Sequence, residues 1–461
     1  MAPLRSRQDL VGGPVGPLVR SLAVPAATGY LFNTLYNVVD SVYAGLWSTA
    51  ALAALGASFP VFFVIIATMA GLGQGTTGLI ARALGAGDRD RARALAGQAR
   101  LAAGAGGVLA AAIGLALAGP VLDLLSIRGE ARGLALDYLV PILLAAPLFL
   151  LNAVVNARLA AQGDTKSYRN ALVVGALVNV VLDPVMMFTL DLGVAGIAWA
   201  TVFVQAGTLV YLHHRARGDD LADAPTSLRP HPELLGELVR QGLPATGNMT
   251  LIGVSLFTVT AFVGRHGEAA VAAYSVGLRL EQLFLLPTVG LNAATLTLVG
   301  NAFGAERYER ILRVLRVTVG WGLVVMGTGT VLLFTFREPL IMLFSRDPAV
   351  IDAGARYLTV AALIQCAYLF NMAGSSTLQG IGQPIWSFAV TVGRSLVAPV
   401  ALLSLGQLVF GWGLDAIFWT IFAINWAAAV ANVLVVRWRL KTTCALELAR
   451  VAVPARAVTR A

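Results

Sequence analysis

The sequence predicts an all-α integral membrane protein with twelve transmembrane helices, arranged as two parallel repeats of six helices. Of its 461 residues, 57% are hydrophobic and only 12% are charged, which is too little charge for the surface of a soluble protein of this length. Apolar runs of about 20 residues, the length that crosses a bilayer as a helix, recur along the chain. The chain also matches itself at one fixed offset.

The apolar runs place the helices in order along the chain. The first six predicted spans cover residues 21–46, 52–81, 101–125, 136–160, 169–190 and 193–213. The second six cover residues 243–264, 270–299, 314–336, 355–379, 385–410 and 413–436. We therefore predict a first six-helix unit at residues 1–213, a polar linker at 214–240, and a second unit with a cytoplasmic tail at 241–461.

The positions of the basic residues predict the orientation of these spans. Most of the 33 Lys and Arg lie in the two terminal segments and in the loops on the same side. The opposite loops hold Arg128, Arg132, Arg265, Arg337, Arg346 and Arg356. Because the side rich in Lys and Arg stays in the cytoplasm, we expect both termini to be cytoplasmic, in a bacterial inner membrane. Anionic lipid accounts for this basic excess, so we expect no nucleic-acid partner.

The self-match indicates an internal duplication. Pro25 matches Pro244 and Tyr138 matches Tyr357 at the same offset, without a gap between the two pairs. Further matches are Gly45 with Gly264, Asn152 with Asn371, and Gly163 with Gly382. Each repeat holds an even number of spans, so both repeats enter the membrane from the same side. Parallel repeats of this kind are typical of transporters, with the substrate site between the halves.

Two aspartates stand out as candidate functional residues. Asp40 and Asp183 lie well inside apolar runs, where a carboxylate is costly unless it is protonated, paired or facing a water-filled cavity. The corresponding positions in the second repeat are Val259 and Leu402. Since the repeat does not require acids there, we infer that the first half is specialised for function.

Polar side chains surround the two aspartates in the sequence. Tyr36 precedes Asp40 by four residues, and Asn179 precedes Asp183 by four, so each pair shares one helix face. Other polar residues of the first six spans are Asn33, Asn37, Asn152, Asn156, Thr201 and Gln205. We predict that these groups face one cavity.

Two ligands suit such a carboxylate pair. One is a proton, because desolvation and a second carboxylate favour protonation. The other is Na⁺, a hard cation that prefers oxygen ligands, with Asp40, Asn179, Asp183 and Thr201 as its expected site. The alternative is that each aspartate is protonated and only bonds neighbouring helices, as the asparagines could also do. We expect no cofactor and no other metal.

The second half has intramembrane charges of its own. Arg279, Glu281 and Arg394 lie inside predicted spans. We predict that Glu281 pairs with one of the arginines, because an unpaired charge within a helix bundle is costly. A role of these residues in transport is the alternative. Pro25, early in the first span, either kinks that helix statically or acts as a hinge.

Taken together and in order, several segments resemble the multidrug and toxic compound extrusion (MATE) family, in particular its DinF-like bacterial branch. The similarity extends over about residues 18–435. Its segments are Leu35–Asp40 followed by Gly45, Ala81–Asp88, Ala161–Thr165, Asn179–Pro184, Gly193–Gly196 and Gly300–Ala305. The resemblance implies two six-helix lobes around a V-shaped cavity. It also implies secondary active efflux of cationic or amphipathic small molecules in exchange for H⁺ or Na⁺, by a transporter that we expect to be monomeric.

The resemblance also implies roles for single residues. Asp40 matches the acid of the branch's first helix, Asn179 and Asp183 match its fifth-helix pair, and Thr201 matches its sixth-helix hydroxyl. The cavity positions are matched by Tyr36, Tyr138, Asn152 and Asn156. Pro25 occupies the position where the family's first helix bends.

Two alternatives to efflux remain on the sequence alone. A lipid-linked oligosaccharide flippase would share the two-lobe scaffold, but such proteins carry a more cationic central cavity and often extra spans. An intramembrane enzyme would need a catalytic constellation, and the sequence has no HExxH motif, paired catalytic histidines or Ser-His arrangement. We therefore predict that the protein is not an enzyme.

Overall fold

The fold was analysed in a computed structural model, which describes residues 9–219, 221 and 229–452, with side chains as far as residue 443. Within these ranges the chain forms α-helices joined by short turns. The first half contains α1 Val15–Trp47, α2 Thr49–Gly85, α3 Arg89–Leu124, α4 Gly129–Leu144, α5 Ala146–Ala161, α6 Lys166–Pro184 and α7 Gly193–Ala216. The second half contains α8 Pro232–Gly264, α9 Glu268–Gly304, α10 Tyr308–Thr335, α11 Arg337–Met342, α12 Pro348–Gly380, α13 Pro384–Val392, α14 Ala398–Phe410 and α15 Leu414–Ala452. The all-α prediction is confirmed.

Most of the predicted spans appear as single long helices. In the described part of the chain, 10 helices are long and apolar enough to cross a membrane, and 11 if the bent pair α4–α5 is one span. The first helix falls below this hydropathy threshold because its second half carries the polar residues around Asp40. It packs against α6 and α9 along the bundle and completes the twelve predicted spans.

The predicted span 136–160 is not one straight helix. It is divided at Ala145 into α4 and α5, whose axes differ by 47°. Pro147 explains the break, because proline lacks the N–H that would bond to the carbonyl of Leu143 in a continuous helix. Proline is well tolerated in the first turn of the new helix, which is where Pro147 stands.

Two spans contain π-helical segments. One segment, Val185–Thr189, follows α6 directly after Pro184, and the other, Gly393–Val397, joins α13 to α14. A π-helical turn rotates the side chains that follow it and often occurs at functional sites. The first segment lies next to Asp183, and the second contains Arg394.

Each half has its own apolar core. One cluster of buried residues centres on α2 to α5, and another on α9, α12 and α15. A third cluster joins the halves at the end of the molecule where both termini lie, and it includes Leu18, Leu298, Leu378 and Leu440. The two halves are thus separate bundles, and this third cluster joins them.

The connection between the halves lies between the end of α7 and the start of α8. The first half ends its last helix at Ala216, and the second half begins at Pro232. The linker predicted at 214–240 therefore includes the ends of both helices. Within it, Asp219 accepts hydrogen bonds from Arg158 and Gln162. Asp220, Asp223 and Pro225 lie outside the described residues.

Reciprocal hydrogen bonds join the two halves at the end of the molecule where Leu18 and Leu440 lie, the termini end. Asn301, at the end of α9, donates to the carbonyl of Ala161 at 3.1 Å. Arg82, at the end of α2, donates to the carbonyls of Gln379 and Gly380 at 3.2 Å each. Arg82 and Asn301 are equivalent under the sequence repeat, and so are Ala161 and Gly380. Each half therefore caps a helix end of the other, since the last carbonyls of a helix have no partner inside it.

The helices at this joint are so close that their backbones are in contact. A Cβ atom on Gly85 would lie 2.1 Å from the carbonyl oxygen of Asn301, and one on Gly304 would lie 2.0 Å from that of Arg82. At the opposite helix ends, the described residues form no hydrogen bond between the halves. The two lobes are thus closed against each other at the end that carries both termini.

Candidate functional site

The two intramembrane aspartates meet inside the first half. Asp40 on α1 is 4% exposed and Asp183 on α6 is fully buried. Packing of α1 along α6 makes the two carboxyl groups neighbours that interact electrostatically. Because ionised carboxylates only accept hydrogen bonds, a bond between them requires one proton. The pair can therefore hold and release a proton at this position.

Asn179 orients the second aspartate. Its side-chain amide donates to Asp183 Oδ1 at 2.6 Å, and both residues are completely buried. The bond spans one helical turn, as the sequence spacing predicts. The π-helical segment that begins after Pro184 follows this turn, so Asp183 lies where the regular hydrogen bonding of the helix changes.

Hydroxyl groups form the other side of the site. Tyr36 donates from its hydroxyl to Thr201 Oγ1 at 2.6 Å, and Thr201 donates to the carbonyl of Ile197 at 3.1 Å. Tyr36 and Tyr138 are both close enough to interact electrostatically with Asp40 and Asp183. Helices α1, α4, α6 and α7 thus each contribute a polar side chain to one cluster.

Three oxygen atoms in this cluster are buried without a hydrogen-bond donor. They are Asp40 Oδ1, Asn179 Oδ1 and Asp183 Oδ2. A buried acceptor without a partner is costly, and in the interior of a protein such an atom calls for an explanation. Carboxylate and amide oxygens are ligands of hard cations. Together with the Thr201 hydroxyl they can bind a proton or a Na⁺ ion.

Not every predicted cavity residue belongs to this cluster. Asn33 and Asn37 are exposed on α1, and the amide of Asn37 donates to the carbonyl of Asn33 at 2.7 Å. Asn156 is half-buried, with no hydrogen bond to the aspartates. These three asparagines are therefore not bonded to the acids, and the prediction that they face one cavity with them stays a prediction.

Asn152 has a structural partner. Its amide donates to the Gln205 carbonyl at 2.9 Å and to Gln205 Oε1 at 2.8 Å, which joins α5 to α7. Its counterpart in the repeat, Asn371, donates to the carbonyl of Asn425 and so joins α12 to α15. Both asparagines connect helices in the same way in the two halves, as asparagines commonly do inside membranes.

Pro25 is buried within the continuous helix α1. It lies near the tightest contact of α1 with α9, where a Cβ atom on Gly290 would approach the carbonyl oxygen of Ala23 to 2.3 Å and the Cβ of Ala27 to 2.8 Å. Because proline removes one helical hydrogen bond, α1 is weakest beside the surface that joins the two halves. A hinge at Pro25 stays a prediction.

The predicted pairing of Glu281 with an arginine is wrong. Glu281 is 3% exposed and accepts a 2.5 Å hydrogen bond from the hydroxyl of Tyr357, and the hydroxyl of Tyr368 is nearby. In the described part of the chain it forms no ion pair. Arg279 is two residues away and exposed on another face of α9, and Arg394 donates to Asn425 Oδ1 at 3.1 Å. Two tyrosines thus take the place of the expected cation.

Removal of one tyrosine hydroxyl tests this arrangement. We expect Tyr357→Phe to destabilise the protein by about 1.5–3 kcal/mol, the usual contribution of a hydrogen bond to a charged group. The measurement is the thermal unfolding of purified protein in detergent. Tyr274→Phe is the matched control, because Tyr274 packs in the same aromatic cluster but its hydroxyl has no hydrogen bond among the described residues. Equal stability of Tyr357→Phe and the control would contradict the assignment.

The sequence interpretation missed the reciprocal caps formed by Arg82 and Asn301. One signal for them was present, since Arg82 and Asn301 are repeat partners at matching helix ends. The residue types differ, however, and only the packing shows that each reaches across to the other half. The tyrosines near Glu281 carried no signal in the sequence beyond the match of Tyr138 with Tyr357.

Comparison with known proteins identifies the fold and the family. The MatE family profile matches the chain twice, at residues 25–185 and 244–403. The chain belongs to the MATE family. The two matches coincide with the repeats, which confirms the prediction of two six-helix lobes, and membership in a family of transporters confirms that the protein is not an enzyme. In this MATE protein, Asp40 and Asp183 both lie within the first match.

Relatives and solved structures support the assignment to the MATE family. The chain is 30% identical to the "Probable multidrug resistance protein NorM" of Thermotoga maritima over 80% of this chain and 81% of the relative. It is 25% identical to the "FAD transporter" of Shewanella oneidensis over 88% and 92% of the two chains. It superposes with a TM-score of 0.88 and 27% identity on an outward-facing multidrug resistance MATE family transporter of the MOP superfamily, covering 94% and 97% of the chains. The protein is therefore a multi-pass membrane transporter.

Proposed function

We propose that this transporter exports cationic or amphipathic organic compounds in exchange for H⁺ or Na⁺, by alternating access between its two lobes. The observation that carries this proposal is the pair of carboxyl groups of Asp40 and Asp183, which are buried between helices and have donor-free oxygens. The substrate class follows from the names of relatives and from the negative charge that an ionised pair would present. The expected setting is a bacterial inner membrane, with a monomer whose termini are cytoplasmic.

The coupling step follows from charge balance at the carboxyl pair. When a proton or a Na⁺ ion occupies the pair, the site carries less negative charge and attracts a cationic substrate less strongly. When the ion leaves, the carboxylates are desolvated and unpaired, which is costly in a low-dielectric environment. A substrate cation relieves that cost. The ion and the substrate therefore compete for the same negative charge, and this competition is what exchange requires.

The conformational step follows from the contacts between the lobes. In this proposal, the joint at the termini end closes one side of the transport path, and the other side is the open one. Ion occupancy at Asp40 affects α1, and α1 packs against α9 of the other lobe beside Pro25. A bend of α1 at Pro25 would change this contact and so link the ion site to the position of the lobes.

Separate ion gradients in proteoliposomes test the proposal. Purified protein is reconstituted, and the uptake of an ethidium-like cation is measured under an imposed pH gradient alone and under an imposed Na⁺ gradient alone. We expect one gradient to drive accumulation of the dye above its equilibrium level, and the driving gradient identifies the coupling ion. Dye movement that follows its own gradient only, under both conditions, would contradict exchange.

Two further assays distinguish efflux of cationic compounds from a lipid flippase and from a nucleotide exporter. Rescue of a strain that lacks its lipid-linked oligosaccharide flippase, without resistance to cationic dyes, would favour the flippase. Because one relative carries the name of an FAD transporter, flavin adenine dinucleotide belongs in the same uptake assay. Uptake of this anionic flavin without uptake of the dye would favour a nucleotide exporter over a multidrug exporter.

A further inference from the structure

A cavity that none of the aspartate-site residues lines lies near the termini end of the first lobe. It has a volume of about 520 Å³ and opens between α3, α5 and α7. One wall is apolar and includes Leu151 and Val210. The other wall is basic and consists of Arg100, His213, His214 and Arg217.

In the described ranges, neither Arg100 nor Arg217 forms an ion pair. Asp219, the nearest acid, is held by Arg158 and Gln162. His213 lies near the positive charges of Arg217, Arg100 and Arg158. The guanidinium groups of Arg100 and Arg217 both border one cavity, and an anion bound there would relieve their repulsion.

An apolar stripe leads along α7 to these basic residues. Trp199, Phe203 and Val210 are 40%, 55% and 71% exposed and lie on one helix face, because they are spaced by four and seven residues. His214 and Arg217 continue the same face by further steps of four and three. Apolar side chains exposed on a membrane helix contact lipid chains, and the basic residues follow where the helix leaves the apolar layer.

We propose that this cavity binds the headgroup of an anionic phospholipid, with an acyl chain lying along the α7 stripe. Basic pockets between transmembrane helices on the side rich in Lys and Arg suit the phosphate of such lipids. The exposed stripe from Trp199 to Val210 adds the apolar contact that a free phosphate ion cannot make. This site is separate from the aspartate pair and does not depend on the proposed transport activity.

Lipid retention by the purified protein tests the site. The protein is placed in nanodiscs of phosphatidylcholine with a minor fraction of phosphatidylglycerol. Native mass spectrometry then measures how many lipids of each kind stay bound to the protein after it is released from the nanodisc. We expect selective retention of phosphatidylglycerol. The double variant Arg100→Gln, Arg217→Gln should reduce this retention more than about tenfold, because each basic residue contributes separately to the attraction of an anionic headgroup.

A matched control separates the cavity from the general basic surface. Arg313→Gln with Arg316→Gln removes the same charge from exposed positions of α10, which lie outside the cavity, and should leave retention unchanged. Inorganic phosphate, titrated against the detergent-solubilised protein, should not displace phosphatidylglycerol at millimolar concentration.

Three results would overturn the proposal. They are equal retention of both lipids, equal losses in both double variants, and displacement of the lipid by phosphate alone. Thermal unfolding of each variant serves as the check of folding. If the cavity variant unfolds early, the single substitution Arg217→Gln at the exposed helix end provides the same comparison.

Discussion

Asp40→Asn is expected to abolish ion-coupled transport while leaving the protein folded and inserted. Asparagine keeps the size of the side chain and can still form a hydrogen bond to Asp183, but it cannot gain or lose a proton. The carboxyl pair then loses the charge change on which exchange depends. We expect gradient-driven dye accumulation to fall by about tenfold or more, since intramembrane acids of this kind mark ion pathways.

Asp137→Asn provides the matched control for this prediction. Asp137 is exposed on α4, one residue from Tyr138, and forms no hydrogen bond or ion pair among the described residues. The same chemical change there should leave transport at the level of the unmodified protein. Wild-type accumulation by Asp40→Asn, at normal abundance in the membrane, would show that Asp40 does not couple the ion to transport.

Gly85→Ala and Gly304→Ala are each expected to open the joint between the two lobes. The added Cβ atom would lie about 2 Å from a backbone carbonyl of the other lobe in either case, so the helices must separate. Overpacking of this kind costs about 1–3 kcal/mol, which would shift a two-state equilibrium between the lobe arrangements by about 5-fold to 150-fold. Because the two glycines are repeat partners, both substitutions should shift the equilibrium in the same direction.

Distances between spin labels across the joint measure this shift. The exposed positions Lys166 and Glu309 place one label on each lobe, in a background where Cys366 and Cys444 are replaced by serine. We expect a larger population of long distances in both glycine variants. Gly104→Ala on α3 is the control, because a Cβ atom there meets no neighbour within 4 Å. Unchanged distances in the two glycine variants would show that the joint accommodates the added Cβ atom and stays closed.

Much of the fold could be predicted from local patterns. Apolar runs long enough to cross a bilayer place the helices within a few residues of their observed positions, because the membrane enforces both length and polarity. The break in the fourth span was not predicted, although Pro147 marks it. A proline inside a membrane helix is often tolerated, so sequence alone does not tell a kink from a break between two helices.

The buried polar cluster contains residues that the sequence had indicated, whereas the role of the other polar residues stays a prediction. Asp40, Asn179 and Asp183 were identified because a buried polar group stands out in an apolar run. Asn33 and Asn37 were included on spacing alone, yet they are exposed and contact each other. The face that a helix presents to its neighbours depends on how the bundle packs, and spacing along one helix does not contain that information.

By itself, the sequence determined that the protein spans the membrane, that it is a duplication, and that only its first half carries the pair of acids. These properties are local or periodic, so that each residue contributes to them independently of its distant neighbours. Only the tertiary structure decided which partners the buried charges have. Glu281 is bonded by a tyrosine rather than an arginine because α12 packs beside α9 at that depth. Arg82 and Asn301 cap the opposite lobes because the helix ends of the two repeats meet, and contacts between residues 297 and 140 positions apart follow from packing alone.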